Sequence, residues 1–161
     1  MYLFHYSRIY KFLYLDELME KERPSWDETW LQIARDFVSR GTCLRRNFGA
    51  VIVTLDNVLV ASGYTGSPRK TPDCNGDLNR GYRQEQNIPS GKNYELCRSV
   101  HAEQNAIINA AREGIKIGGS NIYIYGEDAE GNLPEINEPC NMCWRVIINA
   151  GIETVITQSK Q

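Results

Sequence analysis

Two short motifs, each at the start of a predicted helix, constrain this chain more than any other feature. The first is His101-Ala102-Glu103, and the second runs from Pro139 to Cys143. Cys140 and Cys143 are three residues apart, so they lie on one face of a helix and both sulfurs can reach the same point. A predicted strand separates the two motifs. The sequence therefore favours a fold that brings two helix beginnings together.

His101, Cys140 and Cys143 together form a typical zinc-ligand set. Tetrahedral zinc with three protein ligands keeps its fourth position for water, which is the arrangement of a catalytic site. Both helix beginnings favour thiolates, because the positive end of the helix dipole lowers the pKa of a cysteine. A lone C-x-x-C also occurs in redox motifs and structural zinc sites, and a lone histidine is usually an ordinary residue. Their combination indicates a catalytic zinc site.

Glu103 is the candidate proton carrier of this site. It follows His101 by two residues, so it is badly placed as a further ligand and well placed beside a metal-bound water. Zinc lowers the pKa of such a water from about 16 to roughly 7. A neighbouring carboxylate can accept the proton and deliver protons to a ring nitrogen and a leaving amine. A structural zinc site has no use for a carboxylate there, so the sequence predicts a catalytic role for Glu103.

Composition places the chain among ordinary one-domain proteins. Its 161 residues can bury about two thirds of the unfolded surface. The net charge of -2 argues against a nucleic-acid partner. No run is long and apolar enough to span a bilayer, and residues 1–19 lack the uninterrupted apolar centre of a signal peptide. The expected location is the cytoplasm, where the five cysteines are thiols, ligands or nucleophiles rather than disulfides.

Residue spacing predicts alternating helices and strands. The predicted elements are a capped helix that starts near Trp26 and is stopped by Gly41, a hairpin of Phe48 to Thr54 and Val58 to Tyr64, a helix from near Arg98 to Arg112, a strand from Asn121 to Tyr125, a helix from Cys140 to Ala150 and a strand from Thr154 to Thr157. Strands separated by helices imply parallel crossovers. The expected fold class is α/β, a three-layer αβα sandwich whose mixed sheet combines the N-terminal hairpin with parallel strands.

Two segments lack a sustained period. The first runs from Thr65 to Glu95, and so long a loop in a small domain is expected to be functional or held in place by something. The second is the polar insertion from Gly126 to Glu138, directly before the second motif. This insertion is expected to act as a lid.

The sequence resembles the cytidine and deoxycytidylate deaminase family, and within it the deoxycytidylate branch. H-x-E combined with P-C-x-x-C is the known signature of zinc deaminases. The resemblance extends from about Arg23 to Thr157, with its strongest stretches at residues 23–26, 42–46, 49–53, 97–108 and 147–152. It implies a cytidine-deaminase-like fold, with residues 1–22 as an N-terminal extension and residues 23–161 as the zinc deaminase domain.

The resemblance also implies an activity and the residues that carry it. The implied reaction is the conversion of dCMP to dUMP and ammonia by zinc hydroxide attack on C4. His101, Cys140 and Cys143 would hold the zinc, Glu103 would shuttle protons, and the backbone around Ala102 would meet the pyrimidine edge. Family members usually form homo-oligomers, and relatives respond to nucleotide effectors.

The chain departs from the family at the sugar site. The family segment Gly-Tyr-Asn-Gly-x-Pro is present here as Gly63 to Pro68 with Thr65 in the asparagine position. That asparagine commonly helps to hold the sugar, and Thr65 offers one hydroxyl in place of an amide. The sugar and phosphate preference of this chain therefore stays open.

Three further cysteines flank the long loop. Cys43, Cys74 and Cys97 could be buried thiols, since free cysteine packs as a small hydrophobe. Cys74, however, lies in a polar stretch, Pro72 to Asp77. Some family members resemble this chain in binding a second zinc at positions like Cys43 and Cys74, and such an ion would hold the loop in place. Both interpretations stay open.

Arg45 is the candidate phosphate ligand. A guanidinium fork suits a 5′-phosphate, although a solvated surface position is the more common fate of such a residue. Other deaminase substrates remain as alternatives, namely free cytidine, tRNA adenosine or another amine. A zinc-held interaction module without catalysis is the alternative from a different class of protein.

Overall fold

The computed structural model describes residues 23–75, 81–134 and 137–158, so the predicted N-terminal extension lies outside the described residues. Within these ranges the helices and strands follow one another in the order α1 (Trp26–Val38), β1 (Arg46–Val53), β2 (Leu59–Tyr64), α2 (Tyr82–Glu85), α3 (Ala102–Arg112), β3 (Asn121–Asp128), α4 (Asn141–Asn149) and β4 (Thr154–Thr157). A 3-10 turn covers Tyr94–Leu96. None of the described helices is long and apolar enough to cross a membrane.

The strands form one mixed sheet in the order β2-β1-β3-β4. β1 and β2 are an antiparallel hairpin, whose turn places Asn57 at φ 58°. β3 pairs antiparallel with β1, whereas β4 joins β3 in parallel across α4. The predicted mixed α/β sheet is confirmed.

Helices cover both faces of this sheet because successive side chains of a strand point to opposite faces. On one face, α1 packs Trp30 and Ala34 against the buried residues Val51, Val53 and Tyr123. On the other face, α3 and α4 pack over the alternate strand residues, which are Ala50, Ile52, Ile122 and Ile124. The result is the expected three-layer sandwich.

Three predicted boundaries were wrong. The helix expected from near Arg98 begins at Ala102, because Val100 is extended and exchanges backbone hydrogen bonds with Gly66 at 2.8 and 3.2 Å. β1 begins two residues early, and β3 runs past Tyr125 to Asp128, because Arg46 pairs with Asp128 in the same ladder. The first part of the predicted insertion is therefore strand.

The long segment from Thr65 to Glu95 contains α2 and is held by arginine side chains. Nη2 of Arg45 donates hydrogen bonds to the carbonyls of Arg83 (3.0 Å) and Ile88 (2.7 Å). Nη2 of Arg83 donates to the carbonyl of Pro89 at 3.1 Å. The expectation that something holds this loop is met by side chain to backbone hydrogen bonds.

α3, which begins at the first motif, is fixed on the edge strand β2. Asn105 and Asn109 donate through Nδ2 to the carbonyls of Tyr64 (2.8 Å) and Ser62 (2.7 Å). Gly63 lies between these carbonyls, and a Cβ there would clash with the carbonyl oxygen of Ala102 and the amide nitrogen of Ala106. The missing side chain thus allows the helix backbone to lie directly on the strand.

Gly63→Ala is therefore expected to destabilise the protein by ~3 kcal/mol, the upper part of the usual range for overpacking. The obstacle is backbone rather than a side chain that can rotate away. Gly118→Ala is the matched control, since a Cβ at Gly118 meets nothing within 4 Å. Urea unfolding of the two variants measures the difference. Equal stability of both would show that α3 can move away from β2 at little cost.

Candidate metal centre

Both sequence motifs lie at the start of a helix, as predicted. His101 is the N-cap of α3 and Cys140 is the N-cap of α4, and both have extended backbones. An N-cap side chain commonly accepts a hydrogen bond from its own helix, but neither of these side chains does so. Each is directed instead towards the opposite motif, so the two helix beginnings share one site.

The ligand atoms lie close enough to share one metal ion. Nδ1 of His101 is 3.5 Å from Sγ of Cys140 and 3.3 Å from Sγ of Cys143. The three ligand atoms all lie within 4.8 Å of one another. Tetrahedral zinc holds a nitrogen and a sulfur ligand about 3.5 Å apart, given bonds of ~2.0 and ~2.3 Å. The donor set and its spacing fit zinc.

The pKa values of the two cysteines are shifted in opposite directions. A hydrogen bond from Cys143 lowers the pKa of Cys140 to about 3, aided by His101 and opposed by burial. The same hydrogen bond, together with burial, raises the pKa of Cys143. Cys140 is therefore the more readily ionised of the two. A zinc ligand must be deprotonated, so metal binding has to overcome the raised pKa of Cys143.

His101 carries opposing influences on its charge. Burial lowers its pKa, but the hydrogen bond with Cys140 and the charge of Glu103 outweigh this effect, so the pKa is raised. The imidazole must be neutral to bind metal. Zinc binding would therefore compete with protonation at this residue too.

Glu103 is buried beside the ligands, with 5% of its surface exposed. His101, Cys140 and Cys143 all lie near enough to influence its charge. Burial raises the pKa of Glu103, against its own backbone amide and the His101 charge, which lower it. Burial of this kind is one way in which proteins adapt a carboxyl to general acid–base catalysis.

Two side chains of the long loop, the aromatic Tyr94 and the cationic Arg83, also lie near the site. The sequence did not indicate them. The Tyr94 and His101 rings are perpendicular, with centroids 4.9 Å apart. The guanidinium of Arg83 lies over the Tyr94 ring at 4.9 Å. Neither residue belongs to a motif or a periodic segment, so no sequence signal could have identified them.

The residues expected to bind the pyrimidine and sugar lie close to the two motifs but make their own contacts. Ala102 is fully buried, and its carbonyl lies against Gly63. The Thr65 hydroxyl accepts a hydrogen bond from the Phe48 amide at 3.1 Å. The side chain that replaces the family's asparagine thus supports strand β1.

The structure places the remaining candidates at a separate small cavity. Arg45 lines this cavity together with Cys43, Cys74 and Cys97. The sulfur of Cys74 is 3.4 Å from the Ser99 hydroxyl. Among the described residues, the group of side chains close enough to hold a metal is His101, Cys140 and Cys143. The three other cysteines converge on one cavity without reaching ligand spacing.

The fold and the metal centre define an α/β domain with a three-ligand, zinc-type site at paired helix beginnings. Residues 24–159 match the family model described as "Cytidine and deoxycytidylate deaminase zinc-binding region", and the chain belongs to that family. This confirms the resemblance found in the sequence.

Individual relatives agree with the family assignment. The chain is 33% identical over 136 residues to a deoxycytidylate deaminase of Schizosaccharomyces pombe, an alignment that covers 83% of this chain and 37% of that protein. It is 32% identical over 138 residues to a deoxycytidylate deaminase of Mycobacterium phage D29, with 83% of this chain and 94% of that protein covered. The chain therefore spans well under half of the yeast relative but nearly all of the phage relative.

Solved structures confirm the fold. The crystal structure of dCMP deaminase from cyanophage S-TIM5, in complex with dCMP and dUMP, matches with a TM-score of 0.59. The two chains are 22% identical, and the match covers 84% of this chain and 82% of the phage chain.

Proposed function

We propose that this protein is a zinc-dependent hydrolase that converts dCMP and water to dUMP and ammonia. The observation that carries the proposal is the convergence of His101, Cys140 and Cys143 beside a buried carboxyl, that of Glu103. A purely structural metal site has no need of that carboxyl. The relatives named deoxycytidylate deaminase support the choice of substrate.

The proton transfers of the proposed reaction are assigned to Glu103. His101, Cys140 and Cys143 would hold the zinc ion, which would supply the Lewis acidity that makes water a nucleophile at neutral pH. Glu103 takes one proton from the attacking water and passes it to N3 of the cytosine ring as the oxygen bonds to C4. It then takes the second proton of that oxygen and passes it to the amino group, which leaves C4 as ammonia while the C4 carbonyl forms. The raised pKa of Glu103 makes its carboxylate a stronger base than an exposed glutamate, which suits it to take up the proton.

We assign to Arg45 the role of binding the phosphate of the substrate. Its guanidinium is half-buried and already donates to two loop carbonyls through Nη2. Arginine has five N–H donors, so contact with a phosphate needs only its other nitrogens. We also propose that Thr65 and the N–H groups beside Ala102 meet the sugar and the pyrimidine, as the family resemblance implies.

A substrate panel tests the proposed function. Zinc-loaded protein is expected to release ammonia from dCMP about 10 to 100 times more efficiently than from deoxycytidine, since a charge-assisted hydrogen bond is worth ~1.5–3 kcal/mol. Arg45→Ala should remove most of that difference, with Arg46→Ala as the neighbouring control. The measurement is kcat/KM for each compound, with dAMP as the adenine counterpart.

The panel also separates the alternatives. Equal rates on nucleoside and nucleotide would remove the phosphate assignment and favour free cytidine. Ammonia release from dAMP alone would favour an adenine substrate. No release from any compound by fully loaded protein would contradict the enzyme proposal and favour a non-catalytic zinc module.

We further propose a second zinc ion bound by Cys43, Cys74 and Cys97. The support is their convergence on one cavity beside the long loop. The sulfurs of these three cysteines would have to move closer together to bind one zinc ion. Their thiol state fits the cytoplasm, which we propose as the location.

Self-association is also proposed for this chain. α3 and α4 expose Ile108 to 46% and Ile148 to 69%, although isoleucine is among the residues most often fully buried. These exposed side chains lie on the two helices that carry the metal motifs. A homo-oligomer that covers them would remove apolar surface from water.

A further inference from the structure

The orientation of the His101 ring is not fully determined by its sulfur contacts. Both run through Nδ1, at 3.3 and 3.5 Å. Contacts at a single ring atom leave the ring free to tilt about that atom. The Tyr94 ring removes this freedom, because it stands perpendicular to the imidazole at 84° with centroids 4.9 Å apart. Such edge-to-face pairs are favourable beyond the area they bury.

Tyr94 needs a support of its own to act in this way. It belongs to a three-residue 3-10 turn in the long loop, and a turn that short holds little structure by itself. The support comes from Arg83 on α2, whose guanidinium carbon lies over the Tyr94 ring at 4.9 Å from its centroid. A guanidinium stacked on a tyrosine face is attracted by the negative charge of the ring face.

Arg83 is buried in a way that a simple loop contact does not explain. Only 9% of its surface is exposed. Its Nε has no hydrogen-bond partner within the described residues. Among the described residues, the salt bridge found joins Arg35 to Glu127. Arg83 therefore has no carboxylate partner among them. Burying a cation with incomplete partners costs free energy, and an uncharged side chain could fill the same space without that cost.

The position of Arg83 is itself fixed from two sides. Its carbonyl accepts hydrogen bonds from Arg45 at 3.0 Å and from the Ile88 amide at 2.8 Å. Its Nη2 donates to the Pro89 carbonyl at 3.1 Å. A continuous line of contacts therefore leads from strand β1, through Arg45 and Arg83, to Tyr94 and the metal centre.

We propose that Arg83 and Tyr94 form a positioning pair for His101, in which the stacked guanidinium holds the tyrosine ring and the tyrosine ring sets the tilt of the imidazole. The pair keeps Nδ1 directed between the two sulfurs, and it links the order of the long loop to metal affinity. This inference rests on His101 as a zinc ligand, as in the proposed function, but not on the identity of the substrate.

Substitutions at Tyr94 separate its ring from its hydroxyl. Tyr94→Leu keeps an apolar side chain but removes the ring, and we expect zinc affinity to fall by about 10- to 100-fold, as is usual when a supporting residue of a metal ligand is lost. Tyr94→Phe retains the ring and should bind zinc as the wild type does. Zinc affinity is measured by competition with a chromophoric chelator, using purified full-length protein and zinc alone.

Arg83→Met tests the other member of the pair. It removes the stacked cation but keeps a long side chain over the ring, and zinc affinity should fall in the same direction as in Tyr94→Leu. Arg98→Gln is the matched control. Arg98 and Arg83 line the same small cavity, and this substitution also removes one positive charge. The control should retain wild-type zinc affinity.

The outcomes that overturn the proposal are distinct from those that overturn the function. Wild-type zinc affinity in both Tyr94→Leu and Arg83→Met would contradict the pair, as would equal losses in Tyr94→Phe and Tyr94→Leu. If Tyr94→Leu fails to fold, judged by circular dichroism, Arg83→Met decides the question. A wild-type protein that binds zinc but deaminates nothing would contradict the proposed function and leave the zinc measurements to judge the pair.

Discussion

Glu103→Gln is expected to retain its zinc and to lose turnover of dCMP by about a hundred- to ten-thousandfold, the usual contribution of a general acid–base residue. Glutamine has the size of glutamate and fits the same buried position. It cannot accept or donate the transferred proton. The loss should therefore fall on kcat, while the metal content stays unchanged.

The control for this prediction lies on the same helix. Glu113 is the exposed C-cap residue of α3, and Glu113→Gln removes one negative charge without touching the metal centre. Its turnover should equal that of the wild type. Undiminished turnover in zinc-loaded Glu103→Gln would show that the proton passes through another group, and Glu103 would then lose its proposed role.

Cys143→Ser is expected to lose the catalytic zinc and, with it, all measurable deamination. The proposed site has three protein ligands, and the sulfur of Cys143 is 3.3 Å from Nδ1 of His101. A serine hydroxyl is a far poorer zinc ligand than a thiolate. Metal analysis of the purified variant should show one zinc per chain fewer than the wild type.

Cys74→Ser is the paired variant, because it removes a buried sulfur from the other cysteine group. If the second zinc exists, this variant should also lose one zinc per chain but keep its deaminase activity, and its long loop should become sensitive to proteolysis. An unchanged metal content and an unchanged loop would identify Cys43, Cys74 and Cys97 as ordinary buried thiols. Full activity in zinc-free Cys143→Ser would contradict the metal centre.

The elements that are marked by local sequence signals could be predicted from the sequence. Ser25 and Glu28 form the predicted capping box, with the Glu28 amide 3.2 Å from the Ser25 hydroxyl. The strand from Thr154 to Thr157 has the predicted bounds, since all four of its residues are β-branched and Gly151 ends the preceding helix. The two metal motifs lie at helix beginnings because His101, Cys140 and their neighbours are compatible with N-terminal positions.

Features that depend on contacts between residues far apart in the sequence could not be predicted. α3 begins at Ala102 rather than near Arg98 because Val100 bonds to Gly66, which is 34 positions away. The positions of Arg83 and Tyr94 depend on Arg45, and neither local propensity nor spacing encodes that contact. Arg45 was expected to face a phosphate, and the structure adds a second role for it, since it holds the loop carbonyls of Arg83 and Ile88.

Stepwise addition of zinc to zinc-free protein, with dUMP formation from dCMP followed by chromatography, is the most direct measurement of the central claim. The geometry of His101, Cys140 and Cys143 predicts no turnover without zinc, a rate that rises as the catalytic site fills, and one ammonia released for each dUMP formed. Turnover that is independent of zinc would contradict the proposed mechanism. Zinc-saturated protein that leaves dCMP unchanged would contradict the proposed activity.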